Sequence, residues 1–136
     1  MNEDPFQKFN PRVCISGQVM RLNRIIANVF RKYLKPFGIT DSQLTILFIL
    51  CKKDELNQKK LTEITKHEKS SLNRNLNRLI DMEFVTKVNF PLIQITEKGK
   101  TKVLEIIPEW EKAMKEVNEL IEDEGVDALN LIMNKL

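Results

Sequence analysis

The sequence predicts a mainly α-helical protein with one small β-hairpin. Apolar residues recur at spacings of three and four along most of the 136 residues, which is the period of an amphipathic helix. Only residues 84–95 differ, with strand-forming side chains on both sides of an Asn-Phe-Pro turn signal. A length of 136 residues fits a single domain with one modest hydrophobic core.

Composition narrows the class of protein further. A hydrophobic fraction of 42% with 30% charged residues is typical of a globular rather than a disordered chain. No apolar run approaches the ~20 residues of a membrane-spanning helix, so no membrane partner is predicted. The start, Met1-Asn2-Glu3-Asp4-Pro5-Phe6, is acidic where a signal peptide is basic, which makes the cytoplasm the expected location.

Charge is sorted along the chain. The net charge is +4 over residues 1–51, +5 over residues 52–102 and −6 over residues 103–136. A solvated helical surface with a chance imbalance explains this pattern, and so does a basic face for a polyanion with the acidic region held away from it. Charge alone leaves both interpretations open.

The first predicted helix covers residues 12–35 and is about 36 Å long at 1.5 Å per residue. Its apolar stripe is wider than one neighbouring helix needs, so we expect part of it to be buried against a second chain. Pro36 ends this helix. Thr40 and Gln43 then form a capping box that opens the second helix, in which Cys51 is expected to be a small core residue.

The third and fourth helices are predicted at residues 60–66 and 70–80, joined by a turn at residues 67–69. Leu61 and Ile64 are expected to point inward from the third helix. At about 100° per residue, the fourth helix has an apolar side and a polar side. The apolar side holds Leu72, Leu76, Leu79 and Ile80, and the polar side holds Ser70, Arg74, Asn77, Arg78 and Asp81.

A hairpin and a long fifth helix complete the prediction. Strands are expected within residues 84–88 and 92–95. Thr96 is expected to cap the fifth helix, which runs to about residue 124 with a kink at Pro108. Gly125 is placed to end it, before a last short helix over residues 126–136.

Two short helices joined by a turn and followed by a hairpin form a winged helix-turn-helix. Residues 61–99 resemble the DNA-binding lobe of MarR-family winged-helix regulators, and the likeness in order and spacing extends over nearly the whole chain. The matching runs are Ser70-Ser71-Leu72-Asn73-Arg74, Phe84-Val85-Thr86-Lys87 and Ile95-Thr96-Glu97-Lys98-Gly99. The chain departs from the family in two respects. Only seven residues separate Lys87 from Ile95, so the wing is short, and none of them is an arginine. Glu83 also stands where the family usually has glycine.

The resemblance implies a homodimer that binds pseudo-palindromic double-stranded DNA. Within a single domain of residues 1–136, residues 37–99 would be the DNA-binding lobe, and residues 12–36 and 100–136 would be the dimerisation helices. Most members of the family repress transcription, and small lipophilic or phenolic effectors release many of them from DNA. The wing of this family usually reaches the minor groove through arginine, and that contact is not expected for this chain.

The fourth helix carries the predicted DNA contacts. Arginine can pair with guanine and asparagine with adenine in the major groove, and hydroxyls near a helix start can bind phosphate. The residues assigned to DNA are Lys59, Lys69, Ser70, Ser71, Asn73, Arg74, Asn77, Arg78 and Lys87, of which the lysines would neutralise phosphates. An ordinary solvated helix face is the alternative, and Arg78 has the further alternative of a structural role against the neighbouring helix.

Other chemistry-bearing residues have two interpretations each. Met20, Phe30, Trp110 and Met114 would line an effector pocket or belong to a plain core. Cys14 would be a redox sensor or an inert small core residue. The single histidine, His67, has no evident catalytic or metal-binding partners, so no enzyme, metal or cofactor is predicted. The sequence and the resemblance together predict a dimeric, sequence-specific DNA-binding regulator that acts as a repressor and is not an enzyme. The alternative is a winged-helix protein–protein assembly module with weakened or lost DNA binding.

Overall fold

The computed structural model describes residues 4–53 and 56–136. It confirms a mainly helical fold with one small antiparallel hairpin. The elements are α1 (Ile15–Leu34), α2 (Asp41–Lys52), α3 (Gln58–Thr65), α4 (Lys69–Asp81), β1 (Val85–Thr86), β2 (Gln94–Ile95) and α5 (Glu97–Met133). Three short 3₁₀ turns lie at Pro5–Gln7, Pro11–Val13 and Lys35–Phe37. Positions 54 and 55 of the loop expected after α2 lie outside the described residues.

The side-chain caps predicted at the starts of α2 and α5 are present in the structure. Gln43 N–H donates to Thr40 Oγ1 and Thr40 N–H donates to Gln43 Oε1, both at 3.2 Å, so the capping box of α2 is confirmed. Gly99 N–H donates to Thr96 Oγ1 at 3.0 Å and caps α5. Gly38, with a φ of +67°, turns the chain between α1 and α2.

The main core lies where α2, α3, α4, the base of the hairpin and the first half of α5 meet. Fully buried side chains from these elements include Ile46, Leu47, Leu61, Leu72, Leu76, Leu79, Ile93 and Ile106. The predicted apolar side of α4 is therefore confirmed, with Ile80 half-buried at its margin. Ile64 was expected to point inward, but its side chain is 41% exposed. Leu61 is the one residue of the eight-residue α3 that is buried in the core.

The hairpin is smaller than the sequence predicts. Val85 pairs with Ile95 and Thr86 pairs with Gln94, so each strand has only two residues. Ile93 N–H donates to the Leu56 carbonyl at 2.7 Å, which ties the hairpin to the chain that leads into α3.

Helices α1 and α5 pack against each other through a second apolar cluster centred on Val29, Ala113 and Val117. The N-terminal half of α1 is not covered within one chain, since Ile15 is 77% and Val19 is 59% exposed. Further exposed apolar side chains lie near the C-terminus of the chain, namely Leu131, Ile132, Met133 and Leu136. A single chain thus leaves apolar surface at both termini.

The long helix α5 breaks close to the end that the sequence predicts at about residue 124. It continues through Pro108, because an interior proline removes one backbone hydrogen bond and can bend a helix without ending it. The non-helical residue is Glu122, with φ 60° and ψ 177°. Gly125 lies just after this break, where an added Cβ would be 2.6 Å from Ile121 Cβ. Glycine is needed there for close approach, and α5 resumes beyond it to Met133.

A polar cluster on Glu116 joins the two long helices. Lys32 Nζ forms an ion pair with Glu116 Oε1 at 2.5 Å, and Tyr33 Oη donates to the same oxygen at 2.9 Å. The hydrogen bonds from Lys32 and Tyr33 lower the pKa of the Glu116 carboxyl group below its usual value. The hydrogen bond to Glu116 likewise raises the pKa of Lys32 and of Tyr33.

We expect the stability provided by Glu116 to be lost in acid. A carboxyl group whose pKa is lower in the folded state stabilises the fold above its unfolded pKa, and this contribution disappears as the pH falls through the folded pKa. Urea unfolding at neutral pH should therefore show Glu116→Gln to be less stable than the wild type, whereas the difference should shrink at pH 3. Glu119→Gln, an exposed change on the same helix, should show no such convergence. A gap between Glu116→Gln and wild type that is constant with pH would contradict the assignment.

No single helix among the described residues has the length and apolar composition to cross a membrane. Residues 15–37 and α2 reach that length and composition only as a pair, across a bend of 74°.

Candidate nucleic-acid interface

The turn between α3 and α4 presents α4 to solvent on one side. Lys66 ends α3 in the left-handed conformation, with a φ of 59°, and its N–H donates to the Thr62 carbonyl. Glu68 is the N-cap of α4, and Leu72 N–H donates to its carbonyl at 2.9 Å. Because only three residues join the helices, α3 fixes where α4 begins.

The outer face of α4 carries the predicted arginines. Arg74 and Arg78 are both exposed, one helical turn apart, while the opposite face of the helix is fully buried. Arg74 Nη2 donates to Ser71 Oγ at 3.2 Å, which orients the guanidinium along the start of the helix. Asn77 is exposed beside them and, like Arg78, has no side-chain hydrogen-bond partner among residues 4–53 and 56–136. These groups are free to bind base edges or phosphates.

Two asparagines of α4 accept hydrogen bonds from glutamines of neighbouring helices. Gln58 Nε2 of α3 donates to Asn73 Oδ1. Gln43 Nε2 of α2 donates to Asn75 Oδ1 at 3.5 Å, and Gln43 is only 3% exposed. The two contacts hold α4 against both preceding helices. Sequence reasoning missed Gln43 and Gln58 in this role, since no periodic signal separates a buried glutamine from a solvated one.

The remaining residues predicted to bind DNA lie on α3, at the start of α4 and at the hairpin turn. Lys59, Lys69 and Ser70 are exposed, and Ser71 is half-buried where it accepts from Arg74. Lys87 is half-buried at the start of the hairpin turn. The role predicted for each lysine is to neutralise phosphate rather than to read sequence.

The hairpin tip is apolar. Val88 is 80% and Phe90 is 76% exposed, and Lys87 is the only charged residue between positions 84 and 96. Asn89 Nδ2 donates to Gln94 Oε1 at 2.9 Å, which holds the turn closed. The wing therefore has little charge with which to bind phosphate, as its sequence indicates.

The residues expected to bind an effector do not all lie together. Phe30 and Trp110 line a cavity of about 220 Å³ between α1, α2 and α5. Met20 is 49% and Met114 is 36% exposed, and neither lines that cavity.

Cys14, for which an inert core position was the main expectation, is instead exposed at the start of α1. The apolar surface of α1 near it is not covered within one chain, so there is no core for the thiol to enter. Cys51 is half-buried and packs against the core, as expected.

Comparison with known proteins shows which family this chain is similar to. Residues 37–91 match the model described as the MarR family. No curated protein gives a significant match. Among solved structures, a MarR family transcriptional regulator from Streptomyces coelicolor is similar at 22% identity, covering 93% of each chain with a TM-score of 0.79. The resemblance inferred from the sequence is confirmed.

Two further structures share the fold. The transcriptional regulator MosR of M. tuberculosis is 20% identical, with a TM-score of 0.79 over 93% of this chain and 100% of that one. A mutant MarR from E. coli complexed with operator DNA is 18% identical, with a TM-score of 0.77 over 98% of both chains.

Proposed function

From the MarR-type winged helix of residues 37–91 and the fold that the whole chain shares with regulators of that family, we propose that this protein is a sequence-specific DNA-binding transcriptional regulator. The observation that carries the proposal is the outer face of α4, where Arg74 and Arg78 are exposed one turn apart above a fully buried apolar face. In a helix-turn-helix this second helix enters the major groove. A solved relative of the same fold is complexed with operator DNA, which supports this placement.

The residues of the face have different roles in this proposal. Arg74 and Asn77 read base edges, and Arg78 reads a base or binds phosphate. Ser70 and Ser71 bind phosphate near the helix start, and the lysines at 59, 69 and 87 neutralise further phosphates. Asn73 is oriented by Gln58 and positions the face more than it reads sequence.

The proposed regulator is a homodimer. Residues 37–99 form the DNA-binding lobe, and residues 12–36 and 100–136 supply the dimer interface, within one domain of residues 1–136. Exposed apolar side chains at both termini support this division, because a second copy is what would remove them from water. Two-fold symmetry then calls for a pseudo-palindromic operator with half-sites about one helical turn apart.

In this proposal the dimer acts as a repressor in the cytoplasm and has no catalytic activity. Phe30 and Trp110 support effector control, since they line a cavity between the dimerisation helices and the lobe. Met20 and Met114 would join such a site only where a second copy covers them. We assign no redox function to Cys14, although its exposure makes the thiol accessible.

Fluorescence anisotropy on duplex DNA tests the proposal. The duplex from the region upstream of the protein's own gene is compared with an unrelated duplex, at low and moderate salt. A dimer that touches several phosphates per half-site should prefer the upstream duplex and lose orders of magnitude in affinity as salt rises. Equal binding to both duplexes would contradict sequence-specific recognition of that region.

Replacing Arg74 should weaken specific binding. Arg74→Ala is expected to cost about 1–3 kcal/mol of binding free energy and to relax preference at one base pair, because a bidentate contact to guanine is lost. Lys115→Ala, which removes the same charge from an exposed position of α5, is the matched control and should retain specific affinity. Specific affinity equal to that of the wild type in Arg74→Ala would show that Arg74 does not read the DNA sequence.

A second candidate function is supported by the hairpin tip. Exposed Val88 and Phe90, with no arginine in the turn, suit a protein contact better than a phosphate contact. The chain would then be a winged-helix assembly module with weakened DNA binding. Absence of salt-sensitive binding to any duplex at low salt would favour this candidate over the regulator.

A further inference from the structure

Asn73 and Asn77 lie one helical turn apart on the same side of α4, but their amides are presented differently. Asn77 is exposed, and its side chain has no hydrogen-bond partner in the part of the chain that the structure describes. Asn73 is half-buried, and its Oδ1 accepts a hydrogen bond from Gln58 Nε2 of α3. Two residues of the same type on one face therefore offer different groups to a ligand.

The amide nitrogen of Asn73 remains available for binding. Within residues 4–53 and 56–136, no acceptor lies at hydrogen-bond distance from Asn73 Nδ2. Over the same residues, His67 Nδ1 is the only buried side-chain nitrogen or oxygen without a partner, so the unpaired Nδ2 of Asn73 reaches solvent. Asn73 thus has its acceptor end turned to α3 and its donor end open.

The start of α3 holds Gln58 in place. The preceding residue, Asn57, caps α3 by accepting from Lys60 N–H at 2.9 Å. One residue earlier, the Leu56 carbonyl accepts from Ile93 N–H of the hairpin at 2.7 Å. Because the backbone that leads into Gln58 is fixed at two successive residues, the Gln58 amide is directed at α4 before any DNA binds.

An asparagine selects adenine in the major groove by using both ends of its amide, since the oxygen accepts from adenine N6 and the nitrogen donates to adenine N7. In Asn73 the oxygen already accepts from Gln58, so the nitrogen is the group left to contact a base. Guanine presents two adjacent acceptors, N7 and O6, whereas adenine places the N6 donor beside its N7 acceptor. A group that only donates therefore favours guanine over adenine.

We propose that Gln58 determines which base Asn73 reads, so that Asn73 donates to guanine instead of pairing with adenine. Gln58 is a positioning residue in this proposal, because it acts through Asn73 and does not itself touch DNA. A single donor distinguishes bases less sharply than the guanidinium of Arg74, so Asn73 adds a secondary preference. The inference rests on the DNA-binding function proposed above.

Selection from a library of random-sequence duplexes tests the proposal with the full-length protein. Sequencing of the bound duplexes gives the base preference at each position, independently of total affinity. Asn73→Ala identifies the position that Asn73 contacts, because the preference there is lost. At that position the wild type should favour guanine over adenine by about fivefold, as expected for one hydrogen bond to a base edge.

Gln58→Glu should reverse the preference at this position. A carboxylate only accepts hydrogen bonds, so Asn73 must donate Nδ2 to it and turn Oδ1 toward the base. Adenine or cytosine, each of which carries an exocyclic amino donor, should then be favoured over guanine. Gln58→Leu has no polar group at this position, so it frees both ends of the Asn73 amide and should favour adenine.

Gln94→Glu is the matched control, because it adds the same charge in the hairpin. Gln94 Oε1 accepts from Asn89 Nδ2, and a carboxylate keeps this hydrogen bond. We expect this variant to bind every duplex more weakly, because a negative charge is added near phosphate, and to keep all base preferences. The effect of Gln58→Glu on base preference should also vanish in an Asn73→Ala background.

A wild type that favours adenine at the Asn73 position would overturn the proposal, as would an unchanged preference in Gln58→Glu or a full set of preferences in Asn73→Ala. A change that persists in the Asn73→Ala background would mean that position 58 contacts DNA directly, and would overturn it as well. These results leave sequence-specific binding intact. A wild type that enriches no sequence would instead contradict the proposed function, and the inference with it.

Discussion

Leu76→Ala is expected to lower the free energy of unfolding by about 2–5 kcal/mol. Leu76 is fully buried in the middle of α4, between Leu72 and Leu79, where the helix meets the core. Alanine removes three buried carbon atoms and leaves a cavity that the surrounding helices fill only partly. Chemical denaturation followed by circular dichroism should show the unfolding transition moved to lower denaturant.

Leu104→Ala is the matched control for this prediction. It deletes the same atoms from a side chain that is 70% exposed on α5. We expect a change of no more than about 0.5 kcal/mol. Similar losses in the two variants would mean that α4 is not packed as the structure describes.

Gly99→Ala is expected to destabilise the protein by about 1–3 kcal/mol or more. Alanine usually stabilises a helix relative to glycine, but a Cβ on Gly99 would collide with the Phe84 carbonyl oxygen. It would also come within 2.7 Å of Ile95 Cγ1. A backbone oxygen cannot rotate away, so the first turn of α5 must move off the base of the hairpin. A fall in the midpoint of thermal unfolding measures this.

Gly17→Ala is the matched control and should have the opposite sign. In α1 an added Cβ would meet its nearest neighbours, Cys14 Cβ and the Pro11 carbonyl oxygen, at 3.8 Å, which is ordinary contact. The helix preference for alanine then dominates, and we expect a gain of up to about 1 kcal/mol. Equal effects at Gly17 and Gly99 would contradict the close contact between α5 and the hairpin.

Much of this architecture follows from local signals in the sequence. The capping box at Thr40 and Gln43, the apolar side of α4 and the cap at Thr96 all depend on residues within a few positions of one another. The outward position of Arg74 follows from the same helical period, because burying Leu72 and Leu76 turns the other side of α4 to water. The exposed positions of Arg74, Asn77 and Arg78 were therefore predictable from the sequence, whereas their binding of DNA stays a prediction.

Contacts between distant parts of the chain were not predictable in this way. The sequence placed Ile64 in the core, whereas the structure leaves its side chain exposed. It also gave no sign that Gln58 donates a hydrogen bond to Asn73. The cavity lined by Phe30 and Trp110 also depends on which side chains meet across the fold. Helical period and capping are set by the nearest few residues, so the sequence by itself determined the elements and their faces. Packing depends on shape and on groups tens of positions apart, so only the tertiary structure decided which polar side chains are held by neighbours and where space for a ligand remains.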